Sequence, residues 1–515
     1  MARRKRRGKR SGKGNRSAQP QEVYPNAAGL DVGATMVYAA VRAECAEQPI
    51  QSFPTFTCDL HALADWLSAC QVDTVAMEST GVYWIPVYQI LEARGFEVVL
   101  VNARHVRSVP GRKSDVEDCE WLRCLHSVGF LRGSFRPPDE VCAVRSLLRH
   151  RDSLVKTASR SVLHMQKAFD QMNVHLHHAI SDLTGLSGLA ITDAILDGER
   201  DPARLAELAH PRIKASRATL IKALEGDWRS EHLFTLRHAR RTYAYYQQLL
   251  SECDQEIEAH IRAFEQTQEP PAATATDQQP PQSPETRPKP PAATGQPRTM
   301  EAHLTRLFST DLTLIPGIGS ATALVLFSEL GSDLKRFPTA SQFASWLNLC
   351  PQNKITGGRV ISSKTGPGVN RAAQALRIAT QTLYRSQSAL GDYFRRERAR
   401  FGTPQAITDT AHKMARIIYH LVTRHVLYDD NLLAEQQRQD RKRHVRRLRN
   451  QARALGFQLV PEAACLLFLM ESHLTPQGRD YYDSPPPGRG KRRGNDTEPS
   501  GSSESRRNAR QLVRE

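Results

Sequence analysis

The chain has 515 residues, 24% charged and 40% hydrophobic, enough for two or three domains with a core apiece and not the profile of a disulfide-stapled miniprotein. Lys and Arg outnumber Asp and Glu by 71 to 54, a net charge of +17 that suits contact with polyanions, and nine of those cations lie between Arg3 and Arg16 with no acid among them. The nine cysteines are scattered without a CxxC pair and read as reduced thiols, and the longest late apolar burst, Cys465 to Met470, is far short of the ~20 residues a membrane span needs, so a soluble cytoplasmic protein with no membrane partner is expected.

Residues 1–22 hold almost nothing to bury and read as a disordered basic arm. From Gly29 to Val41, small and β-branched residues around a turn-forming Gly33 predict a strand and its return, and residues 51–57 a polar strand beside them. His61 to Cys70 has helical periodicity through Leu63, Trp66 and Leu67, Thr74 to Met77 is a short buried strand ending at Glu78, Tyr83 to Arg94 a helix stopped by Gly95, and Val98 to Val101 the next strand. Strands alternating with helices predict an α/β domain with one mixed sheet over residues 23–140, and its last helix, Asp115 to Val128, carries Val116, Cys119, Leu122 and Leu125 on one stripe.

Residues 141–266 read as a helical, coiled-coil-like region. It opens with one helix from Glu140 to about His178, continues through short helices at Ala190 to Leu196 and Pro202 to Leu208, and ends in a long one, Ile213 to Phe264, broken near Gly226. Pro, Gln, Ala and Thr make 267–300 a linker. A mostly α-helical domain is expected over 301–430, with helices at Leu304 to Phe308, Ala321 to Leu330, Ser341 to Leu347, Asn370 to Ser386 and Ala411 to His425. A basic helical extension, 431–483, contains the helix Gln436 to Arg453, and 484–515 reads as a disordered basic tail.

Four acids stand out. Asp31 follows the start of the first strand and Glu78 ends a buried one, where a sheet can aim both carboxylates at one crevice, and Asp115 and Asp118 share a helix face. Such crowding is tolerable when a divalent cation neutralises it, and oxygen-only ligands select hard ions, here Mg²⁺ or Mn²⁺. Two such ions can activate a nucleophilic oxygen and stabilise the leaving oxygen in phosphoryl transfer.

The strings Gly29-Leu-Asp-Val-Gly33, Ala76-Met-Glu-Ser-Thr-Gly-Val-Tyr83, Val101-Asn-Ala-Arg-His-Val106 and Gly111-Arg-Lys-Ser-Asp-Val-Glu-Asp-Cys-Glu-Trp-Leu122 resemble the DEDD-type insertion-sequence transposases and recombinases related to the Piv DNA invertase, the IS one-ten family. Asp31, Glu78, Asp115 and Asp118 match its four acids, so the resemblance implies an RNase H-like (RuvC-like) N-terminal domain. Leu314-Ile-Pro-Gly-Ile-Gly-Ser-Ala-Thr-Ala-Leu324 is similar to that family's helix-hairpin-helix type turn, whose glycines let backbone N–H groups approach a phosphate; a plain turn between packed helices is the other reading. The segments Phe343 to Pro351, Asn353 to Arg359 and Asn370 to Leu376 continue the likeness, which covers roughly 27–425.

The family's C-terminal domain is understood to supply a serine that precedes a glycine, and the matching position here is Thr356, followed by Gly357 and Gly358. A threonine hydroxyl can be a nucleophile, though its methyl group crowds an in-line approach; Ser362 or Ser363 is the alternative source of the hydroxyl. Arg104, Arg107, Arg112 and Lys113 flank the acids and Lys354, Arg359, Lys364 and Arg371 flank Thr356; together they read as phosphate contacts, and each singly as a solvated surface charge. Arg395, Arg396, Arg398 and Arg400 near Tyr393, and the run Arg438 to Arg453, read as nucleic-acid contacts or as solvated helix faces, while Cys119, Cys124 and His126 suit a helix core and His175, His177 and His178 the surface.

The expected function is a transposase or site-specific recombinase that cuts and rejoins DNA in the bacterial nucleoid. Family resemblance implies a noncoding guide RNA, and joining several strands implies a dimer or tetramer. A metal-dependent junction nuclease is the alternative among enzymes, and a catalytically silent nucleic-acid-binding derivative the alternative outside them.

Overall fold

The computed structural model describes residues 22–79, 81–102, 115–267, 298–366 and 370–458. The expected basic arm, most of the Pro-rich linker and the basic tail lie outside these residues. The chain divides into two compact units, Met1–Asp430 and Asn431–Glu515.

The first unit opens on a five-stranded sheet of β1 (Ala27–Val32), β2 (Met36–Ala40), β3 (Ile50–Pro54), β4 (Thr74–Glu78) and β5 (Glu97–Val101), in the order β3-β2-β1-β4-β5. β1 and β2, and β2 and β3, pair antiparallel, whereas β4 is parallel to both β1 and β5. The mixed sheet and its strand positions follow the sequence reading closely. Parallel neighbours need a crossover, and helix α1 (Thr57–Ala69) and helix α2 (Trp84–Ala93) supply the two that carry the chain through β4 to β5.

Alternation assigns each strand residue a face. Ala28, Leu30, Val32, Val75 and Met77 join Leu60, Leu63, Leu67, Val87 and Leu91 in one buried core under α1 and α2. The other side-chain set, Gly29 and Asp31 on β1 with Thr74, Ala76 and Glu78 on β4, faces helix α3 (Asp115–Ser127). A Cβ on Gly29 would collide with the Cys119 carbonyl oxygen and the Arg123 amide nitrogen, so the helix lies directly on the β1 backbone there. At its far end, buried His126 places Nε2 2.9 Å from the Thr74 hydroxyl, and burial holds that imidazole's pKa below its ordinary value.

The 33-residue helix α4 (Asp139–Gln171) follows, then four shorter ones, α5 (Leu176–Ala179), α6 (Leu186–Asp197), α7 (Pro202–Glu207) and α8 (Arg217–Leu224), before the chain returns along α9 (Ser230–Thr267). The helix expected to run unbroken to His178 stops at Met172, because Asn173 adopts φ +56° and the buried Met172 and Val174 on either side anchor the turn. α4 and α9 are antiparallel: Arg151 pairs with Asp254 and Cys253 Sγ lies 3.6 Å from the Leu147 carbonyl, while near the other end of α4 Met165 and Phe169 share a core with Leu236 and Ala239.

The C-terminal domain of the first unit comprises α10 (Arg298–Phe308), α11 (Ser320–Leu330), α12 (Ala340–Trp346), a hairpin of β6 (Lys354–Thr356) and β7 (Arg359–Ser362), and α13 (Arg371–Thr382), α14 (Ala389–Phe401) and α15 (Thr403–Arg424). Phe308, Phe327, Phe343, Leu376, Leu390, Met414 and Ile418 are buried in it. α4 also braces this domain. Arg145 donates from Nε to the Ser328 carbonyl at 3.0 Å and from Nη2 to the Glu329 carbonyl at 3.1 Å, capping the end of α11, and its guanidinium pairs with the Glu329 carboxylate at 3.4 Å. Phe135, ahead of α4, packs edge-on against Phe337 and Trp346.

The second unit, as far as it is described, is the polar, Arg-rich remainder of helix α16 (Asp430–Ala454) and four residues after it, with the arginines exposed. No helix among the described residues is long and apolar enough to cross a membrane.

The Gly29 contact has a direct consequence for stability. Gly29→Ala overpacks backbone against backbone and is expected to lower unfolding free energy by about 1–3 kcal/mol. The check is the midpoint of urea unfolding, with Gly319→Ala, at an ordinary φ and with nothing within 4 Å of its Cβ, as the control for the glycine-to-alanine change without overpacking.

Candidate active site

β1 and β4 pair with Gly29 opposite Ala76 and Leu30 opposite Met77. Asp31 and Glu78 are each the next residue, so the two carboxylates stand side by side at the same end of adjacent parallel strands, on the face that α3 covers. Both are half-buried. The two acids, expected to be aimed at one crevice by the sheet, share a strand end and a face.

Helix α3 runs opposite to the strands. His126, near its C-terminus, meets the start of β4 at Thr74, and Cys119 and Arg123 meet Gly29 in the middle of β1. Its first turns, with Asp118 and the backbone of Asp115, consequently lie toward the strand ends that carry Asp31 and Glu78. The partial positive charge of a helix N-terminus is thereby set toward the acids. Cys119 reports the same proximity: burial and, among further causes, the nearby Asp31 carboxylate push its thiol up to about 12.

Asp118 is half-buried, and Asp31, Glu78 and Asp118 do not close to within 4.8 Å of one another in the manner of a single-ion ligand set. The Asp115 side chain and Arg104, Arg107, Arg112 and Lys113 lie outside the described residues. The donors are all carboxylate oxygens, which fits a hard divalent cation and not a soft one.

Thr356 sits elsewhere, on the exposed β6–β7 hairpin, paired with Arg359 across Gly357 and Gly358. Both glycines have positive φ, +55° and +75°, which gives the two-residue turn that best matches strand twist. Pro351 bridges to Thr365 at the hairpin's base, and Asn348 Nδ2 donates to the Gly366 carbonyl at 2.5 Å. Lys354, Arg359, Lys364 and Ser363 are exposed and Ser362 half-buried, so the basic and hydroxyl side chains predicted around Thr356 gather on one projecting arm. Arg371 differs from them, since its Nη1 lies 2.7 Å from Asp152 Oδ2 of α4, an ion pair that docks α13 on the long helix.

The expected helix-hairpin-helix turn is a turn before α11. Gly317 has φ +91°, and a Cβ there would press on the Ala379 carbonyl of α13 at 2.7 Å, so packing alone demands glycine at this position, while Gly319 at the N-cap of α11 faces open space. The arginines beside Tyr393 are partly committed to the fold. Arg395 donates to the Tyr384 and Ser386 carbonyls, Arg398 lies 4.5 Å over the Tyr384 ring, and Lys413 lies 4.3 Å over Tyr393.

Residues 28–174 match the family model described as Transposase, and residues 309–395 match that of the Transposase IS116/IS110/IS902 family. The chain is 30% identical over 146 residues to the Insertion element IS110 uncharacterized 43.6 kDa protein of Streptomyces coelicolor, an alignment covering 27% of this chain and 36% of that protein. The first match takes in Asp31, Glu78, Asp115 and Asp118, and the second takes in Thr356.

With its pKa near 12, Cys119 is expected to resist alkylation at pH 8 in the folded protein, while the exposed Cys45 and Cys58 are modified. Peptide mass spectrometry after a short iodoacetamide pulse reads this. Labelling of Cys119 at the rate of Cys45 would contradict the close seat of α3 on β1.

Proposed function

We propose that the chain, which matches two transposase family models over residues 28–174 and 309–395, is a transposase or site-specific recombinase of the IS116/IS110/IS902 kind that cuts and rejoins DNA strands. The observation that carries the reading is the placement of Asp31 and Glu78 at the same end of adjacent parallel strands, with the first turns of α3 set toward them. The sheet order β3-β2-β1-β4-β5, with only β2 antiparallel to its neighbours, supports an RNase H-like assignment for this domain.

Asp31, Glu78, Asp115 and Asp118 would hold Mg²⁺ or Mn²⁺, the ions that all-oxygen donors prefer. Bound there, the ion supplies charge neutralisation at the phosphate and polarisation of the phosphoryl oxygen. The chain's own part begins with the Thr356 hydroxyl, on an arm that presents it to solvent. Its oxygen forms a bond to phosphorus as its proton passes to a carboxylate or to water, and the bond to one sugar oxygen breaks, that oxygen taking a proton from water, which leaves a free sugar hydroxyl and a phosphothreonine link. Attack by a hydroxyl from another strand reverses the step, so the energy of the broken phosphodiester is conserved without ATP. Lys354, Arg359 and Lys364 would hold the phosphate backbone beside that hydroxyl.

Thr356 and the acids occupy different elements of the fold, and on this reading they meet at one phosphate. Bringing several DNA strands together fits a dimer or tetramer. A noncoding guide RNA fits the same reading through the exposed arginines of α16, which suit recognition of helix shape and backbone.

The test incubates purified protein with Mg²⁺, RNA transcribed from the element's flank and nicked donor DNA, and resolves protein–DNA adducts on a denaturing gel. The expected result is an adduct abolished by Thr356→Ala, retained by Thr356→Ser, retained when Ser362 and Ser363 are both replaced by alanine, and abolished by Asp31→Asn. Loss only with the double serine change moves the nucleophile to β7 or the residue after it. Cleavage with no adduct in any variant replaces the recombinase with a metal-dependent junction nuclease, and no cleavage at all points to a silent nucleic-acid-binding protein.

A further inference from the structure

At the far end of α4, Asp170, His177 and His178 each place one donor atom within 4.8 Å of the other two, the one group of three His, Cys, Asp or Glu side chains among the described residues that meets this spacing. Asp170 belongs to the last turn of α4, and the two histidines to the short helix α5 that follows the turn at Asn173. The geometry points to a transition-metal site here, of the zinc class, separate from the carboxylates on the sheet and independent of the function proposed for them.

Four observations carry the assignment. His177 Nε2 lies 3.4 Å from Asp170 Oδ1, long for a good hydrogen bond but equal to the edge of a tetrahedron whose metal–ligand bonds are about 2.0–2.1 Å. His177 Nδ1 is buried with no hydrogen-bond partner, so the fold does not commit the ring to a structural hydrogen bond through that nitrogen. The Asp170 carboxylate stands at the negative end of a 33-residue helix, an unfavourable place for an anion that a bound cation would offset. The framework is also fixed: Asn173 N–H bonds the Asp170 carbonyl at 3.0 Å, His175 N–H bonds the Ala223 carbonyl at 2.8 Å, and Leu176 is fully buried.

Two imidazoles and one carboxylate select zinc or its congeners over magnesium or calcium, which prefer oxygen alone. Asp170 and His178 are exposed and His177 is half-buried, which leaves a path for the ion and room for water or a fourth side chain. Bound metal would staple the end of α4 to the helix that begins the bundle of α5–α8.

Chelator-treated full-length protein is titrated with Co²⁺ in excess Mg²⁺, and the visible absorption of low-coordinate Co²⁺ is followed. One equivalent is expected, displaced by Zn²⁺, absent in His177→Ala and in His178→Ala, and unchanged in Asp31→Asn. His178 is exposed, so its variant keeps the far-UV dichroism of the parent and loss of the band cannot be ascribed to unfolding. No band in the parent, a band that survives both histidine changes, or a thiolate charge-transfer band in place of it would each overturn the assignment.

Discussion

At Gly29 the backbone of α3 rests on the backbone of β1, an approach that any side chain would forbid. Much of the candidate site follows from that contact. It fixes how deeply the helix sits on the sheet, and His126 on Thr74 fixes its direction. Together these two contacts turn the start of α3, with Asp118, toward the strand ends that carry Asp31 and Glu78. The acids repel one another and could not gather by their own interactions. The apolar packing of Cys119 and Leu122 beneath the helix, both fully buried, supplies the force that keeps the arrangement in place.

The elements of the sheet domain were legible in the sequence because each is short and patterned, and the five strands and three helices fall within a few residues of their expected positions. What periodicity does not encode is depth. Gly29 reads in sequence only as a small residue in a strand, and its role appears once α3 is seen lying on it. The hairpin that carries Thr356 escaped for the opposite reason: Lys354 to Thr356 and Arg359 to Ser362 are too short to show alternation, although the Gly357-Gly358 pair between them is a hairpin turn signal. α14 was missed because its Arg-rich face hides the apolar one formed by Ala389, Leu390 and Phe394. The apolar spacing of α4 and α5 runs on through Met172 and Val174, so the left-handed Asn173 between them left no mark, and three histidines read as surface were those held at the turn it creates.

Electrostatics divides the basic residues into two kinds. Arg145, Arg371 and Arg395 spend their donors on carbonyls and carboxylates of the fold, and replacing them would alter packing before it altered any encounter with a polyanion. Lys354, Arg359 and Lys364, with the exposed arginines of α16, keep their charge in water, where it acts at a distance set by salt.

The long helix α4 belongs to every part of the first unit: it begins beside the sheet domain, braces α11 and α13 on the way, and ends in the bundle of short helices. Thirty-three residues at about 1.5 Å each make a rod of about 50 Å. Laid beside a duplex rising about 3.4 Å per base pair, that is about fifteen pairs, or roughly one and a half turns. A straight duplex of that length turns opposite sides to its two ends, so the rod spans a length over which helical phase reverses.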